Sequence, residues 1–258
     1  MLWPLRRLCC LLLLASAALP AAGARAEGQN ASESALTGAL TAAQDPLTRA
    51  AAAEGLGRLV PATPQAAQRT ATVLVEALLL DLDYPVRGRA AEALGRLGPV
   101  TDEVVPALVE ALAWDAHLMV RWHVTAALER IATQHPETAE AVVPALLTAL
   151  QGDSHAGVRA RAAESLGAVD PGDEAVVPAL VRAFRADSHP GVRWQAAASL
   201  EKIAALYAEK GTRVVVADLS DALAALVGHP HPDVRRHAEG LRQAIQRIEG
   251  QQSSQAPE

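Results

Sequence analysis

Apolar residues recur along most of the chain with the spacing of one helix face, and most of them are small. In the stretch VRWQAAASLEKIA, four apolar side chains fall within about 80° of one another when each residue advances about 100° around a helix axis. They are Val192, Ala196, Leu200 and Ile203. This stripe predicts a helix that buries one side. Runs such as VVPALVEAL, which begins at Val104, lie between stretches of this kind and predict a second helix in each unit.

The dipeptide Val-Arg opens the alanine-rich runs and marks an internal repeat. Its arginines are Arg87, Arg121, Arg159, Arg193 and Arg235, and Thr48-Arg49 is a degenerate first copy. Because one helical hairpin cannot bury its apolar face alone, repeated hairpins predict a stacked solenoid. The predicted hairpins span residues 31–60, 63–98, 101–134, 136–170, 173–210 and 212–249. We therefore expect an all-α solenoid of about six hairpins over residues 27–249, followed by a disordered tail at 250–258.

The repeated motif also resembles a known family. An aspartate stands six residues before the arginine, Ala-Ala and Leu-Gly follow in the alanine-rich run, and VVPAL lies on the preceding helix. This combination resembles the HEAT-repeat proteins, in particular the phycobilisome-lyase-like class, over about residues 31–249. The resemblance implies an α-solenoid with first helices on the convex side and second helices on the concave side. It implies no particular reaction, because this architecture hosts many roles.

The repeated arginine and the aspartate six residues before it predict a structural ladder. The arginine lies on the flank of the buried stripe, where a charged partner is a better explanation than solvent. We expect each aspartate to pair with an arginine of its own unit or of the neighbouring one. The predicted members are Asp81, Arg87, Asp115, Arg121, Asp153, Arg159, Asp187, Arg193 and Arg235. Because the motif recurs in every unit, it does not predict a catalytic arginine.

Aspartate or histidine stands four residues before each arginine, at the position of a helix N-cap. These residues are Asp45, Asp83, His117, His155, His189 and His231. Neighbouring helices stack about 8–10 Å apart, whereas zinc ligands lie about 2 Å from the ion. One column of histidines therefore cannot hold one metal ion. The HPHP sequence at 229–232 places two histidines together without an evident third ligand, so we predict no metal site and no cofactor.

Two tryptophans are the candidate binding residues. Trp122 and Trp194 occupy equivalent places on second helices, outside the buried stripe and about 20 Å apart after two helix spacings. Exposed tryptophan is enriched at binding hot spots. The predicted partner-binding residues on the concave face are Trp122, Trp194, Arg130, Lys202 and Arg236. The alternative is that each indole folds over a neighbouring alanine or glycine and seals the groove between helices.

The first 26 residues have the order of a secretory signal peptide. Arg6 and Arg7 precede a leucine-rich run, and Ala24-Arg25-Ala26 resembles a cleavage site, so we expect cleavage after Ala26 and export to the periplasm or beyond the cell. An uncleaved anchor is the alternative, although the apolar run is short of the roughly 20 residues of a spanning helix. Cleavage would remove both cysteines. It would leave 20 basic residues against 29 acidic ones, a net charge of −9, and no membrane span in the mature chain.

Together these patterns predict an exported, non-catalytic scaffold that binds a protein or peptide partner on its concave face. No Ser/His/Asp or paired-carboxylate constellation stands out from the repeat, so we do not predict an enzyme. The negative charge argues against nucleic acid as a partner. The alternative that the resemblance implies is an accessory or lyase-type protein that handles a chromophore or a modified protein, as some phycobilisome-lyase-like relatives do.

Overall fold

The computed structural model describes residues 28–169, 174–210, 216–229 and 232–254. Within these ranges the chain alternates between first helices and second helices joined by short turns. The first helices are α1 (28–42), α3 (Pro64–Leu80), α5 (Val104–Trp114), α7 (Ala139–Gly152), α9 (Val176–Ala186) and α11 (Val216–Val227). The second helices are α2 (Pro46–Arg58), α4 (Tyr84–Leu97), α6 (Leu118–Gln134), α8 (Ala156–Val169), α10 (Pro190–Lys210) and α12 (Pro232–Ser254). A 3₁₀ turn, Pro136–Thr138, precedes α7.

The all-α solenoid predicted from the repeat is confirmed. Each second helix lies beside the second helix of the next unit, and the first helices form the other layer. The second helices contact one another more extensively than the first helices do, as expected for the inner layer of a curved solenoid. None of the helices in the described ranges has the length and apolar character that a membrane crossing requires. The predicted signal peptide at 1–26 lies outside the described residues.

The last helix differs from the prediction. α12 continues through Ser254, whereas the sequence predicted a disordered tail from residue 250. Buried Ile245 and Ile248 anchor this helix to the core. Gln251 and Gln252, which are good helix formers, then extend an anchored helix at little cost. Residues 255–258 lie outside the described part of the chain.

One continuous apolar core lies between the two layers. The predicted stripe of α10, from Val192 to Ile203, is fully buried. The valine of the Val-Arg motif is equally buried in α4, α6 and α8, at Val86, Val120 and Val158. A fully buried aliphatic side chain of this size contributes about 1.5–3 kcal/mol. The same few positions therefore build the core in each unit, which is why the repeat is visible in the sequence.

Glycine brings consecutive second helices close together. A Cβ atom added to Gly95 on α4 would lie 2.7 Å from the backbone Cα of Ala127 on α6, which no real side chain tolerates. Equivalent close approaches join Gly57 to Ala93 and Gly167 to Ser199. These contacts explain why the layer of second helices is the more closely packed one.

The ladder joins each turn to the next, and Arg121 shows the arrangement. Its Nε and Nη2 donate to Oδ2 and Oδ1 of Asp153 in the next unit, at 2.6 and 2.9 Å. Its Nη1 donates to the backbone carbonyl of Asp115 in its own unit, at 2.8 Å. The guanidinium thus holds its own turn through a carbonyl and the next turn through a carboxylate. Equivalent carboxylate pairs are Arg49–Asp81, Arg87–Asp115 and Arg159–Asp187.

Each ladder aspartate also shapes its own turn. Asp153 Oδ1 accepts the backbone N–H of His155 at 2.8 Å, and Asp81, Asp115 and Asp187 accept the equivalent N–H. The sequence left open whether each carboxylate pairs within its unit or with a neighbouring one. The structure shows that it binds the arginine of the preceding unit. Arg49, which the predicted ladder omitted, supplies the first rung.

The end of the ladder differs from the prediction at Arg193. Its Nη1 donates to the carbonyls of Asp187 and Ser188, at 2.9 and 3.2 Å, as in the other rungs. The next carboxylate would stand at residue 229, and this residue is histidine. Arg235 keeps the carbonyl bond, from Nη1 to the oxygen of His229 at 2.9 Å. Across the described residues, the rung at Arg193 therefore lacks its acidic half.

The hydrogen bonds of the ladder lower the pKa values of Asp81, Asp153 and Asp187. The bond from Arg159 holds the pKa of the Asp187 carboxyl below its usual value, although burial acts in the opposite direction. Burial alone would raise the pKa values of Asp81 and Asp153, but bonds from Arg49, Arg121 and nearby backbone N–H groups outweigh it and lower both. These rungs are therefore charged and formed wherever the carboxylates are ionised.

Replacing Asp187 with asparagine should lower stability in a pH-dependent way. Because the folded-state pKa lies below the unfolded value of about 3.9, the charge of Asp187 stabilises the fold above about pH 4, and this contribution is lost as the pH falls through the folded-state pKa. The wild type should exceed Asp187→Asn by about 2 kcal/mol in unfolding free energy at neutral pH. The difference should shrink toward about pH 2. Urea unfolding followed by circular dichroism measures both.

The matched control is Glu239→Gln, which removes an exposed ion pair with Arg242. It should change the unfolding free energy by no more than about 0.5 kcal/mol at any pH. A difference between wild type and Asp187→Asn that stays constant from neutral to acidic pH would contradict the pKa assignment.

Gly95→Ala should destabilise the solenoid, because its methyl group would meet the backbone of Ala127. Overpacking of this kind costs about 1–3 kcal/mol. Gly38→Ala on α1 is the control, since nothing lies within 4 Å of a Cβ atom there. Alanine in place of an exposed helical glycine should stabilise by about 0.5–1 kcal/mol. In thermal unfolding, the melting temperature should fall in Gly95→Ala and rise in Gly38→Ala. A change of the same sign in both variants would contradict the close approach at Gly95.

Candidate partner-binding surface

Trp122 lies near the start of α6 and bridges two units. Its ring meets the ring of His123 edge to face, with centroids 5.2 Å apart. The guanidinium carbon of Arg161, on α8 of the next unit, lies 5.5 Å from the centroid of the Trp122 ring. This geometry is that of a cation–π contact. Trp122 nevertheless stays 37% exposed, so part of the indole is open to a partner.

A glutamate holds the cation beside Trp122 in place. Arg161 Nη2 lies 3.0 Å from Glu129 Oε2, and Glu129 is on the same helix as the tryptophan. The same carboxylate oxygen accepts the hydroxyl of Ser165 at 2.9 Å. Glu129 therefore ties α6 to α8 at two points and orients the guanidinium beside the ring.

Trp194 repeats this arrangement two units later. Its ring meets that of His237 on α12 at a steep angle, with centroids 5.6 Å apart. His237 Nδ1 lies 2.6 Å from Glu201 Oε2, and Glu201 is on the helix of Trp194. Trp194 is 42% exposed. Tryptophan, a nitrogen-bearing side chain of the next unit and a glutamate thus recur at matching positions.

Both tryptophans combine a contact to the next helix with an exposed surface. Each indole meets a nitrogen-bearing side chain of the next second helix, Arg161 for Trp122 and His237 for Trp194. Each tryptophan residue is also about two-fifths exposed. The tryptophans therefore contact the next helix and remain partly exposed to a partner.

The predicted cationic residues lie at different distances from the tryptophans. Arg130 and Lys202 are exposed. Each follows its tryptophan by eight residues, about 12 Å along a helix axis. Arg236 directly follows a ladder arginine, as both tryptophans do. It pairs with Asp233 at 2.7 Å and has a side chain that is 77% exposed. Arg130 and Lys202 therefore lie about two helical turns from the tryptophans rather than beside them.

Sequence reasoning missed an apolar edge at the turns of the second and third units. Leu80, Leu82 and Trp114 are more than 70% exposed there. Tyr84 lies beside them and stacks on His117, with ring centroids 3.6 Å apart. A signal existed: Leu80 and Trp114 directly precede ladder aspartates, where later units have Gly152 and Ala186.

The histidines of the turns serve as N-caps. Nδ1 of His117, His155 and His189 accepts a backbone N–H two residues on, at 3.1–3.3 Å. Asp83 differs, because it makes no capping bond and instead accepts Nη2 of Arg49 at 2.8 Å. His231 lies outside the described residues. In the part of the chain that the structure describes, no group of three or more His, Cys, Asp or Glu side chains is placed to hold a metal ion.

Stacked helical hairpins that form two layers of helices, joined by a repeated arginine–aspartate ladder, define an α-solenoid repeat protein. The HEAT repeats family matches residues 71–166 and 119–201, which together make up about half of the chain. The chain belongs to the HEAT-repeat family. A comparison with curated protein sequences found no match.

Solved structures share the fold. A crystal structure of an engineered protein is 22% identical, with a TM-score of 0.54 over 85% of this chain and 97% of the other. A designed armadillo repeat protein in complex with the peptide (KR)4 is 20% identical, with a TM-score of 0.55 over 81% of this chain and 98% of the other. At these identities the likeness concerns the architecture alone.

Proposed function

We propose that this chain is an exported, non-catalytic scaffold that binds a protein or peptide partner along the layer of second helices. The observation that carries the proposal is the duplicated arrangement of Trp122 with Arg161 and Glu129, and of Trp194 with His237 and Glu201. A tryptophan that only filled a groove would gain nothing from remaining two-fifths exposed. Exposed tryptophans on a rigid support are typical anchors of interfaces.

The spacing of the anchors limits what the partner looks like. Two helix spacings separate Trp122 from Trp194, or about 20 Å. An extended peptide covers this distance in about six residues, at roughly 3.3 Å per residue. We therefore expect a partner segment with two apolar side chains about six residues apart. The exposed cations Arg130, Lys202 and Arg236 favour acidic groups beside those side chains.

The fold is suited to such a task. Stacked hairpins present an extended surface whose spacing repeats from unit to unit. The designed armadillo repeat protein of similar architecture holds a peptide, which supports the proposal at the level of architecture only.

Changing both tryptophans to alanine should weaken partner binding strongly without unfolding the chain. The mature chain would first be used to capture proteins from the extracytoplasmic fraction of its source cells, and mass spectrometry would identify them. Calorimetry with a purified captured protein should then show at least about 30-fold weaker binding to the Trp122→Ala/Trp194→Ala variant. Because both rings are already partly exposed, circular dichroism should show the fold retained.

Trp114→Ala is the matched control, since Trp114 is 83% exposed and belongs to the apolar turn edge instead. It should leave affinity unchanged. Equal affinity of the wild type and the double variant would remove the proposed surface, and loss of binding only in Trp114→Ala would move the interface to the turn edge.

Export rests on residues 1–26 alone and has its own test. The protein expressed in its source cells should be found outside the cytoplasm. Its intact mass should match a chain that begins at Glu27, because cleavage follows Ala26. Replacing Leu11, Leu12 and Leu13 with arginine should trap the full-length chain inside the cell. A full-length chain in the membrane fraction would instead support the uncleaved anchor.

A further inference from the structure

The four complete rungs of the ladder define how this protein binds a carboxylate. In each, Nε and Nη2 of an arginine donate to the two oxygens of an aspartate at 2.6–3.0 Å. Nη1 of the same arginine donates to a carbonyl of its own turn. This carbonyl bond fixes the plane of the guanidinium, so the other edge is presented in a constant direction.

Arg193 keeps the fixed half of this arrangement. Its Nη1 donates to the carbonyls of Asp187 and Ser188 at 2.9 and 3.2 Å. The corresponding bonds of Arg87, to the carbonyls of Asp81 and Leu82, are 2.9 and 3.1 Å. The guanidinium of Arg193 is therefore oriented as in a complete rung.

The carboxylate that would complete the rung is missing from its expected position. Arg235 donates to the carbonyl of His229 as Arg87 donates to that of Asp81, which identifies residue 229 as the position of a ladder aspartate. The imidazole of His229 lies against Phe184 instead, with ring centroids 5.6 Å apart. Among the residues that the structure describes, no carboxylate meets the Nε and Nη2 edge of Arg193.

A cleft lies at this point between α10 and α12. Its volume is about 580 Å³, and its lining includes Arg193, Trp194, His229, Pro190, Pro232 and Val234. Clefts of a few hundred Å³ hold small ligands or single side chains. The walls are mainly apolar, and a charged hydrogen bond is stronger in such surroundings than in open water.

We propose that this cleft binds a carboxylate carried on an apolar or aromatic group. Nε and Nη2 of Arg193 take the two carboxylate oxygens in the geometry of the complete rungs. Trp194 and the prolines take the apolar group. The carboxylate of the ligand thus takes the place of the aspartate that other units have at the position of His229. The cleft shares Trp194 with the proposed partner-binding surface, but its carboxylate-binding group, Arg193, is not part of that surface, so the two proposals can fail separately.

The first test uses N-acetyl-L-phenylalanine and its neutral amide as matched probes. Titration would be followed by NMR through the indole N–H signal of Trp194, assigned with Trp194→Phe. The acid should bind at least about tenfold more tightly than the amide, because only the acid makes two charge-assisted bonds. Equal binding of the two probes, or no binding of the acid, would overturn the proposal.

Variants of the site sharpen this test. Arg193→Gln should remove the preference for the acid, whereas Arg242→Gln, an arginine of α12 outside the cleft, should keep it. His229→Asp should complete the rung internally, so it should raise the melting temperature by about 2–4 °C and weaken binding of the acid more than tenfold. Both effects of His229→Asp should disappear in the double variant with Arg193→Gln. Full affinity for the acid in His229→Asp would also overturn the proposal.

Two peptides distinguish the natural sources of such a carboxylate. One ends in phenylalanine with a free C-terminus, and the other carries a Glu-Phe pair within an amidated chain. Binding of the first assigns the site to chain termini, and binding of the second assigns it to acidic side chains. If only N-acetyl-L-phenylalanine binds, the site is assigned to small carboxylic acids.

Discussion

The bidentate bond between an arginine of one turn and the aspartate of the next sets how the units of this protein are placed. Burial of alanine, valine and leucine supplies most of the driving force for stacking, but that force has no direction. A guanidinium that is planar and already held by a carbonyl accepts a carboxylate in only one orientation. These bonds therefore fix the position of each hairpin relative to the next. The four pairs are Arg49–Asp81, Arg87–Asp115, Arg121–Asp153 and Arg159–Asp187.

Much of this fold could be predicted from the sequence because the chain contains its own comparison. Hairpins, buried stripes and capping histidines recur at equivalent positions of several units. A structural assignment made in one unit can therefore be checked against the other units. The sequence could not predict whether each aspartate binds the arginine of its own unit or that of a neighbouring unit. That choice depends on the offset between neighbouring units, which helical periodicity alone does not contain.

The candidate site was predictable to a lesser degree. The repeat shows Trp122 and Trp194 at a position where other units have a small residue, such as Gly88 or Ala160. It could not show their contacts with side chains of the following helices. Trp114 escaped notice because exposure at the end of a helix is set by the turn rather than by periodicity. His229 shows the same limit, since a substitution at one rung has meaning only when the geometry of the intact rungs is known.

Glu129 changes how two second helices meet at one step of the solenoid. At the other steps of the described second-helix layer a glycine lets the helices meet closely, as Gly95 does against Ala127, and at the last step Gly240 makes room for Glu201. Between α6 and α8 the equivalent contact is Glu129 with Ser165, and these two helices touch less extensively than their neighbours. The step between α6 and α8 is thus held by side chains that reach across the groove, whereas backbones meet directly at its neighbours. Its integrity therefore depends on the charge of Glu129, which meets both Arg161 and Ser165.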